Sequence, residues 1–255
     1  MIRFASLGSG SAGNALVVES GETRLLLDCG FSLRETQVRL DRLGLLPGGL
    51  TGLLVTHEHS DHVGGVFRFA RHHGLPVWAT HGSLAATAAQ SAGVDCRVID
   101  SHRPLEIGDL AVHPFPVPHD AREPVQYVFS DGIRRLGVLT DAGEVTGYMR
   151  EMLNGCDGLV LECNHDRQML AVSHYPAYLK RRIGGRLGHL ANDAAATLLA
   201  TIDTGNLQHL VAAHLSEQNN RPELAVEALV GVLGCAPEWI GVADQVAGFD
   251  WRQLA

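Results

Sequence analysis

Lysine is almost absent from this 255-residue sequence: Lys180 is the only one among 20 basic residues, and charged residues make up 19% of the chain. With so few charges, 45% hydrophobic residues and a mean hydropathy near zero, a disordered, collagenous or coiled-coil chain is a poor fit. No stretch approaches the roughly 20 apolar residues of a membrane-spanning helix, and the first residues run straight into a strand-like segment instead of a leader. The five cysteines (Cys29, Cys96, Cys156, Cys163, Cys235) are odd in number, scattered and without a Cys-x-x-Cys pair. They argue against a disulfide framework or a thiolate zinc knuckle and suit reduced thiols in a cytoplasm. Repeats, low-complexity tracts and obvious linkers are missing too, so one soluble cytoplasmic domain over residues 1–255 is expected, with no membrane partner. The net charge of −8 (20 basic against 28 acidic residues) weighs against a general nucleic-acid coat but permits a locally basic groove. Histidine is what the chain has in excess: there are 14.

Short runs rich in Val, Leu and Ile, bounded by Gly, Pro, Asp or His, predict strands over 2–7, 15–19, 23–27, 53–56, 77–80, 110–117, 125–130, 135–140, 158–162, 209–213 and 239–243. Helices are predicted over 33–43, 66–73, 84–92, 147–153, 192–201 and 222–233, with Asn192 as an N-cap and Pro222 in a first turn. Strands dominate the first third in hairpin-like succession, which suggests sheets covered by helices and not a regular βαβ alternation.

Gly8-Ser9-Gly10-Ser11-Ala12-Gly13 matches a dinucleotide fingerprint, with Asp28 twenty residues beyond Gly8. The residues that follow, Asn14-Ala15-Leu16-Val17-Val18, are β-like, whereas the fingerprint needs a helix N-terminus at the pyrophosphate, so a glycine-rich turn is expected. No Gly-Lys-Ser/Thr follows, which excludes a P-loop. The informative stretch is Leu53-Leu54-Val55-Thr56-His57-Glu58-His59-Ser60-Asp61-His62. Side chains two apart on extended backbone face the same way, so His57 and His59 can grip one cation, while Asp61 and His62, where the chain turns, can face a second. Other apolar strands end the same way, at Asp28, His119, Asp141 and His214. Ligands at the ends of several buried strands would converge on one sheet edge, where loops leave room for substrate.

The string His57-Glu58-His59-Ser60-Asp61-His62, preceded by Asp28 and followed by His119, Asp141 and His214, resembles the metallo-β-lactamase superfamily over nearly the whole chain. The resemblance implies an α/β (α+β) fold, a four-layer αββα sandwich with a binuclear centre at one edge. His57, His59 and His119 would hold one metal, and Asp61, His62 and His214 the other. Asp141 would bridge them, and Asp28 would orient a ligand histidine from behind. Further strings are similar to the YycJ/WalJ-type branch, regarded as DNA exonucleases. They are Ser9-Gly10-Ser11-Ala12-Gly13-Asn14, Pro118-His119-Asp120-Ala121, Thr140-Asp141-Ala142-Gly143, Glu162-Cys163-Asn164-His165-Asp166, Gly188-His189-Leu190-Ala191-Asn192 and His214-Leu215-Ser216-Glu217-Gln218-Asn219-Asn220. Ala191 departs from the Ser expected in that branch. Ribonuclease Z is a more distant relative, and the chain is too short for the inserted cap of the larger nucleases.

A metal pair, zinc or manganese with iron admissible, lowers the pKa of a shared water and offsets charge on phosphoryl oxygens. That suits a chain with no persuasive Ser-His-Asp arrangement. The expectation is a phosphodiesterase, a DNA exonuclease working through a metal-bridging hydroxide, with the metal ligand Asp61 counted among the catalytic residues. His189, at the position of the ribonuclease Z histidine credited with that role, would be the general acid. Asn164 and His165, after another strand end, would support the metals or orient substrate. Lys180, Arg181, Arg182 and Arg186, the only dense basic cluster, would contact the phosphate backbone of DNA. The alternatives are hydrolysis of a small ester, thioester, lactone or cyclic phosphodiester, and a mononuclear iron oxygenase, which Asp61, His62 and His214 disfavour.

Overall fold

Strands buried on both faces read as continuous apolar runs, and the computed structural model, which describes residues 1–255, stacks two sets of them. The strands are β1 (Ile2–Gly8), β2 (Ala15–Ser20), β3 (Thr23–Leu27), β4 (Gly52–Leu54), β5 (Val77–Thr80), β6 (Cys96–Ile99), β7 (Leu105–Ile107), β8 (Leu110–Pro116), β9 (Val125–Ser130), β10 (Arg135–Leu139), β11 (Gly158–Glu162), β12 (His209–Ala213), β13 (Ile240–Val242) and β14 (Phe249–Leu254). The helices are α1 (Leu33–Arg42), α2 (Ser60–Val63), α3 (Val66–His73), α4 (His81–Ala86), α5 (Ala88–Ser91), α6 (Gly147–Leu153), α7 (Arg167–Val172), α8 (Ala177–Ile183), α9 (Asn192–Leu199) and α10 (Pro222–Leu233). One seven-stranded sheet runs β14-β1-β2-β3-β4-β5-β6 and the other β13-β12-β11-β10-β9-β8-β7. Each is mixed: β3 to β6 and β10 to β13 pair in parallel, and the remaining pairs are antiparallel.

Three apolar layers hold the elements together. Phe4, Val18 and Leu25 of the first sheet meet Val112, Phe129, Val138 and Val160 of the second between the sheets. Leu40 of α1 and Phe67 and Phe69 of α3 cover the outer face of the first sheet. Met149 of α6, Leu198 of α9 and Leu229 of α10 cover the outer face of the second. Fully burying each such side chain contributes about 1.5–3 kcal/mol. The result is the αββα sandwich expected from the resemblance. The buried Tyr127 hydroxyl donates to Val55 O at 2.7 Å, tying the second sheet to the segment that leads into His57.

Most predicted elements stand within two residues of their observed ends, and the Ser9–Gly13 segment is a turn between antiparallel β1 and β2. The expected 84–92 helix starts earlier, at His81, and is broken at Thr87 into α4 and α5. Strands β6, β7 and β14 and helices α2, α7 and α8 had no counterpart in the reading of the sequence. The N-cap of α9 is Ala191 and not Asn192, whose amide instead exchanges two 2.9 Å hydrogen bonds with that of Asn220. No helix is long and apolar enough to cross a membrane.

Candidate metal centre

β8 runs in the same direction as β10, because β9 is antiparallel to both. The carboxyl ends of β3, β4, β8, β10, β11 and β12 therefore deliver Asp28, the His57–His62 segment, His119, Asp141, Glu162 and His214 to one edge of the sandwich. Three of these, Asp28 (φ 58°), Asp141 (φ 53°) and His214 (φ 55°), are the chain's only non-glycine residues with positive φ. Asp and His tolerate this region better than most residues, but each such residue still costs about 1–3 kcal/mol, and such strain gathers where side chains must be aimed.

His57 Nε2 and His119 Nε2 lie 3.0 and 3.2 Å from His59 Nδ1. Those separations approach the edge of about 3.3 Å expected of a tetrahedron with metal–nitrogen bonds of about 2.0–2.1 Å. Beside them, Asp61 Oδ2 is 3.4 Å from His62 Nε2 and 3.6 Å from His214 Nε2. Asp141 reaches both groups, with Oδ2 3.0 Å from His62 Nε2 and Oδ1 3.8 Å from His119 Nε2. Asp141 Oδ2 and His214 Nε2 are buried without a hydrogen-bond partner, and a buried polar atom without one is costly. Facing nitrogens and an unpartnered carboxylate oxygen fit divalent cations, and the groupings His57–His59–His119 and Asp61–His62–His214 are each compact enough to hold one ion.

The outward-facing ring nitrogens are tied down. Asp28 Oδ2 accepts from His62 Nδ1 (2.8 Å) and from the Thr56 hydroxyl (2.7 Å), while Oδ1 accepts from Thr56 N (2.8 Å). Since the Thr56 hydroxyl spends its proton on Asp28, its oxygen accepts from His57 Nδ1 at 3.0 Å. Gly188 O accepts from His119 Nδ1 (2.9 Å), and Glu162 Oε1 from His214 Nδ1 (3.3 Å). Each of these bonds keeps a proton on the outer nitrogen, so that the inner nitrogen is the one free to turn a lone pair toward a metal. Burial, followed by the charge of His62, holds His57 well below the ordinary imidazole range, and burial lowers His119 as well. For His62 burial acts downward, but the Asp141 and Asp28 carboxylates reverse it and raise the group well above that range. His214, buried but facing Asp141, Asp61 and Glu162, is raised to about 10. Asp141 is desolvated, yet His214 and His62 keep it well below the usual carboxylate range.

Glu162 opens the Glu162-Cys163-Asn164-His165-Asp166 string, but the sequence assigned it no role. It is fully buried at the end of β11, and its Oε2 accepts from Ala142 N (2.8 Å) and Leu190 N (3.2 Å). Its Oε1 accepts from His189 Nδ1 at 2.8 Å as well as from His214. The available signal was its place: a charged residue closing an apolar strand, as at the other ligand-bearing ends. His189 sits at the mouth, its side chain 23% exposed, with ring centroids 5.3 Å from those of His119 and His214. Asn164 Nδ2 donates to His214 O (2.9 Å), standing behind that residue. His165 makes no side-chain hydrogen bond to any of the metal-facing groups. Its ring is buried with Nδ1 unpartnered, and burial lowers it to about 4. The glycine-rich turn also reaches the centre: Ser9 Oγ accepts from His214 N (2.9 Å), and Asn14 Nδ2 lies 3.1 Å from His62 Nε2.

The basic cluster divides. Arg182 Nε donates to Asp120 Oδ2 at 2.6 Å, and Asp120 Oδ1 lies 3.6 Å from His119 Nε2 and 3.7 Å from His59 Nε2, so Arg182 borders the centre. Lys180 donates to Ala171 O, Arg186 is paired in two bonds with Glu144, and Arg181 is exposed without a side-chain partner.

Residues 23–214 match the Beta-lactamase superfamily domain. The chain is 38% identical over 252 residues to the exodeoxyribonuclease YycJ of Bacillus anthracis, covering 98% of this chain and 96% of that one. It is 32% identical to the exodeoxyribonuclease WalJ of Streptococcus pneumoniae, covering 96% and 93%. The crystal structure of the metallo-β-lactamase fold protein YhfI from Bacillus subtilis superposes over 98% of both chains with a TM-score of 0.74 at 17% identity, a likeness of fold.

Proposed function

The chain belongs to the β-lactamase superfamily, in its metallo-β-lactamase fold and YycJ/WalJ-type branch, and from that premise we propose that this metal-dependent hydrolase is a phosphodiesterase that removes nucleotides from DNA ends. In this reading residues 1–255 act as one domain. Two cations, zinc or manganese with iron also compatible, would be held by His57, His59 and His119 and by Asp61, His62 and His214, with Asp141 shared between them. Bound there, they would lower the pKa of a water toward neutrality, supplying hydroxide as the nucleophile, and offset charge on the phosphoryl oxygens.

The chain's own contribution centres on proton management. The observation that carries the reading is the His189–Glu162 pair, seated beside Asp141 and His214 at the mouth of the centre. Glu162 accepts a hydrogen bond from His189 Nδ1–H and fixes the ring, so that the imidazolium's Nε2–H is the proton handed to the departing sugar oxygen. A deoxyribose alkoxide is a poor leaving group, and a positioned donor is typically worth about 10²–10⁴ in rate. Glu162 also holds His214, so one buried carboxylate aligns the proton donor with a metal-facing imidazole. Asp28, acting on His62 directly and on His57 through Thr56, performs the matching task on the other sheet. Arg182, joined to the centre through Asp120, supports the contact to the DNA backbone expected of the basic cluster.

The test is hydrolysis of end-labelled DNA and of bis-p-nitrophenyl phosphate by protein loaded separately with zinc and with manganese. Release of nucleotides from DNA ends, lost with EDTA and restored by metal, is expected. Hydrolysis of the small diester with none of any DNA overturns the nuclease reading.

A further inference from the structure

Tyr178 is a large aromatic residue that the fold leaves out of its core: it is 67% exposed on α8, and its hydroxyl makes no hydrogen bond. Arg182 lies four residues on, so the two side chains share one helix face about 5–6 Å apart at their Cβ atoms. That face borders the metal centre, because Arg182 is bonded to Asp120, whose other oxygen lies 3.6 and 3.7 Å from His119 and His59. Leu187, 53% exposed, borders the same spot, its carbonyl accepting from Asp120 N at 3.0 Å. Arg181 adds an exposed guanidinium. An exposed ring one helical turn from Arg182 and an exposed apolar side chain on the residue bonded to Asp120 thus both leave surface open by the Arg182–Asp120 pair.

We propose that Tyr178 is a nucleobase-binding platform: a base of the strand under digestion stacks on the Tyr178 ring while Arg181 and Arg182 hold the adjoining phosphates. The inference rests on the nuclease reading and deepens it by assigning the site for a base next to the scissile phosphate. Stacking suits this position because every base has a π-face, so the platform binds without reading sequence as the enzyme moves inward. Phosphate contacts add the salt-dependent part of binding, and the ring adds a part that salt leaves largely intact.

The experiment compares wild type, Tyr178→Ala and Tyr178→Phe, all metal-loaded, on DNA and on bis-p-nitrophenyl phosphate, with binding of labelled DNA followed by fluorescence anisotropy. For Tyr178→Ala the ratio of kcat/KM on DNA to kcat/KM on the small diester should fall about 5–100-fold, mostly through KM. Tyr178→Phe, which keeps the ring and loses the hydroxyl, should restore it. An abasic nucleotide, scanned along the first positions of the substrate strand, should at one position erase the difference between wild type and Tyr178→Ala, as removal of either partner of one contact must. A ratio unchanged in Tyr178→Ala, or no abasic position that closes the difference, overturns the platform and leaves the nuclease reading standing. A wild-type protein that neither binds nor cleaves DNA overturns both.

Discussion

Replacing Asp28 by Asn tests whether the metal-facing nitrogens are set from behind. Asn is nearly isosteric and tolerates the left-handed backbone found at this position (φ 58°), so the turn after β3 should hold. The hydrogen-bond pattern cannot. Asp28 offers only acceptors, to Thr56 N at 2.8 Å, the Thr56 hydroxyl at 2.7 Å and His62 Nδ1 at 2.8 Å. If the Asn carbonyl stays on Thr56 N, its NH2 faces the Thr56 oxygen and His62 Nδ1. His62 must then accept at Nδ1 and move its proton to Nε2, the atom 3.0 Å from Asp141 Oδ2 and inside the ligand group. The Thr56 proton is simultaneously released to turn toward His57 Nδ1, 3.0 Å away, which drives the His57 proton to Nε2 as well. The opposite amide orientation sets NH2 against the Thr56 N–H and costs more.

One oxygen-to-amide change thus turns two inward lone pairs into N–H groups. Loss of such a supporting carboxylate typically lowers metal affinity about 10–100-fold, or about 1.4–2.7 kcal/mol. The metal-free protein should also lose the charged bond to His62, worth about 1.5–3 kcal/mol. Competition titration of zinc against a chromophoric chelator reads the affinity, and thermal melts of the metal-free protein read the stability. An Asp28→Asn protein that binds zinc as tightly as wild type would refute the tautomer argument.

His189→Ala should lower kcat on DNA about 10²–10⁴-fold and kcat on bis-p-nitrophenyl phosphate far less, because p-nitrophenolate departs without a proton; equal losses on both substrates would remove His189 as the proton donor. In the metal-free protein the raised His62 and His214 groups contribute stability that is complete below the unfolded imidazole value of about 6.5 and is lost as pH rises through their folded values, about 10 for His214. Those protons must leave for the nitrogens to ligate, so metal affinity should rise with pH and binding near pH 7 should release protons, measurable by calorimetry in buffers of different ionisation enthalpy. Gly30→Ala places a methyl group against the Asp61 carbonyl oxygen and should destabilise the fold by about 1–3 kcal/mol while lowering metal content after dialysis; melts and elemental analysis check both.

What the sequence revealed and concealed follows from where each residue lies in the sandwich. Central strands such as β11, buried on both faces, are unbroken apolar runs and were legible. Strand β6 has Arg97 and an exposed Val98, and β14 carries Asp250, Arg252 and Gln253, so these sheet-edge strands lack the apolar run that signals a strand. Helix α8 buries none of its residues, so no apolar stripe announced it. The same logic divides the site. The His57–His62 string carries its own spacing and was read as a metal grip before any fold was known. Glu162 opens a recognisable string, but nothing in that string names its partners: His189 lies 27 residues on, and His214, 52 residues on, is brought alongside by the parallel β11–β12 pair. A motif can declare atoms that touch a metal, because coordination fixes their spacing along one stretch of chain. The groups that fix tautomers reach those atoms from other strands, so their roles appear only once the strand ends are brought to a common edge.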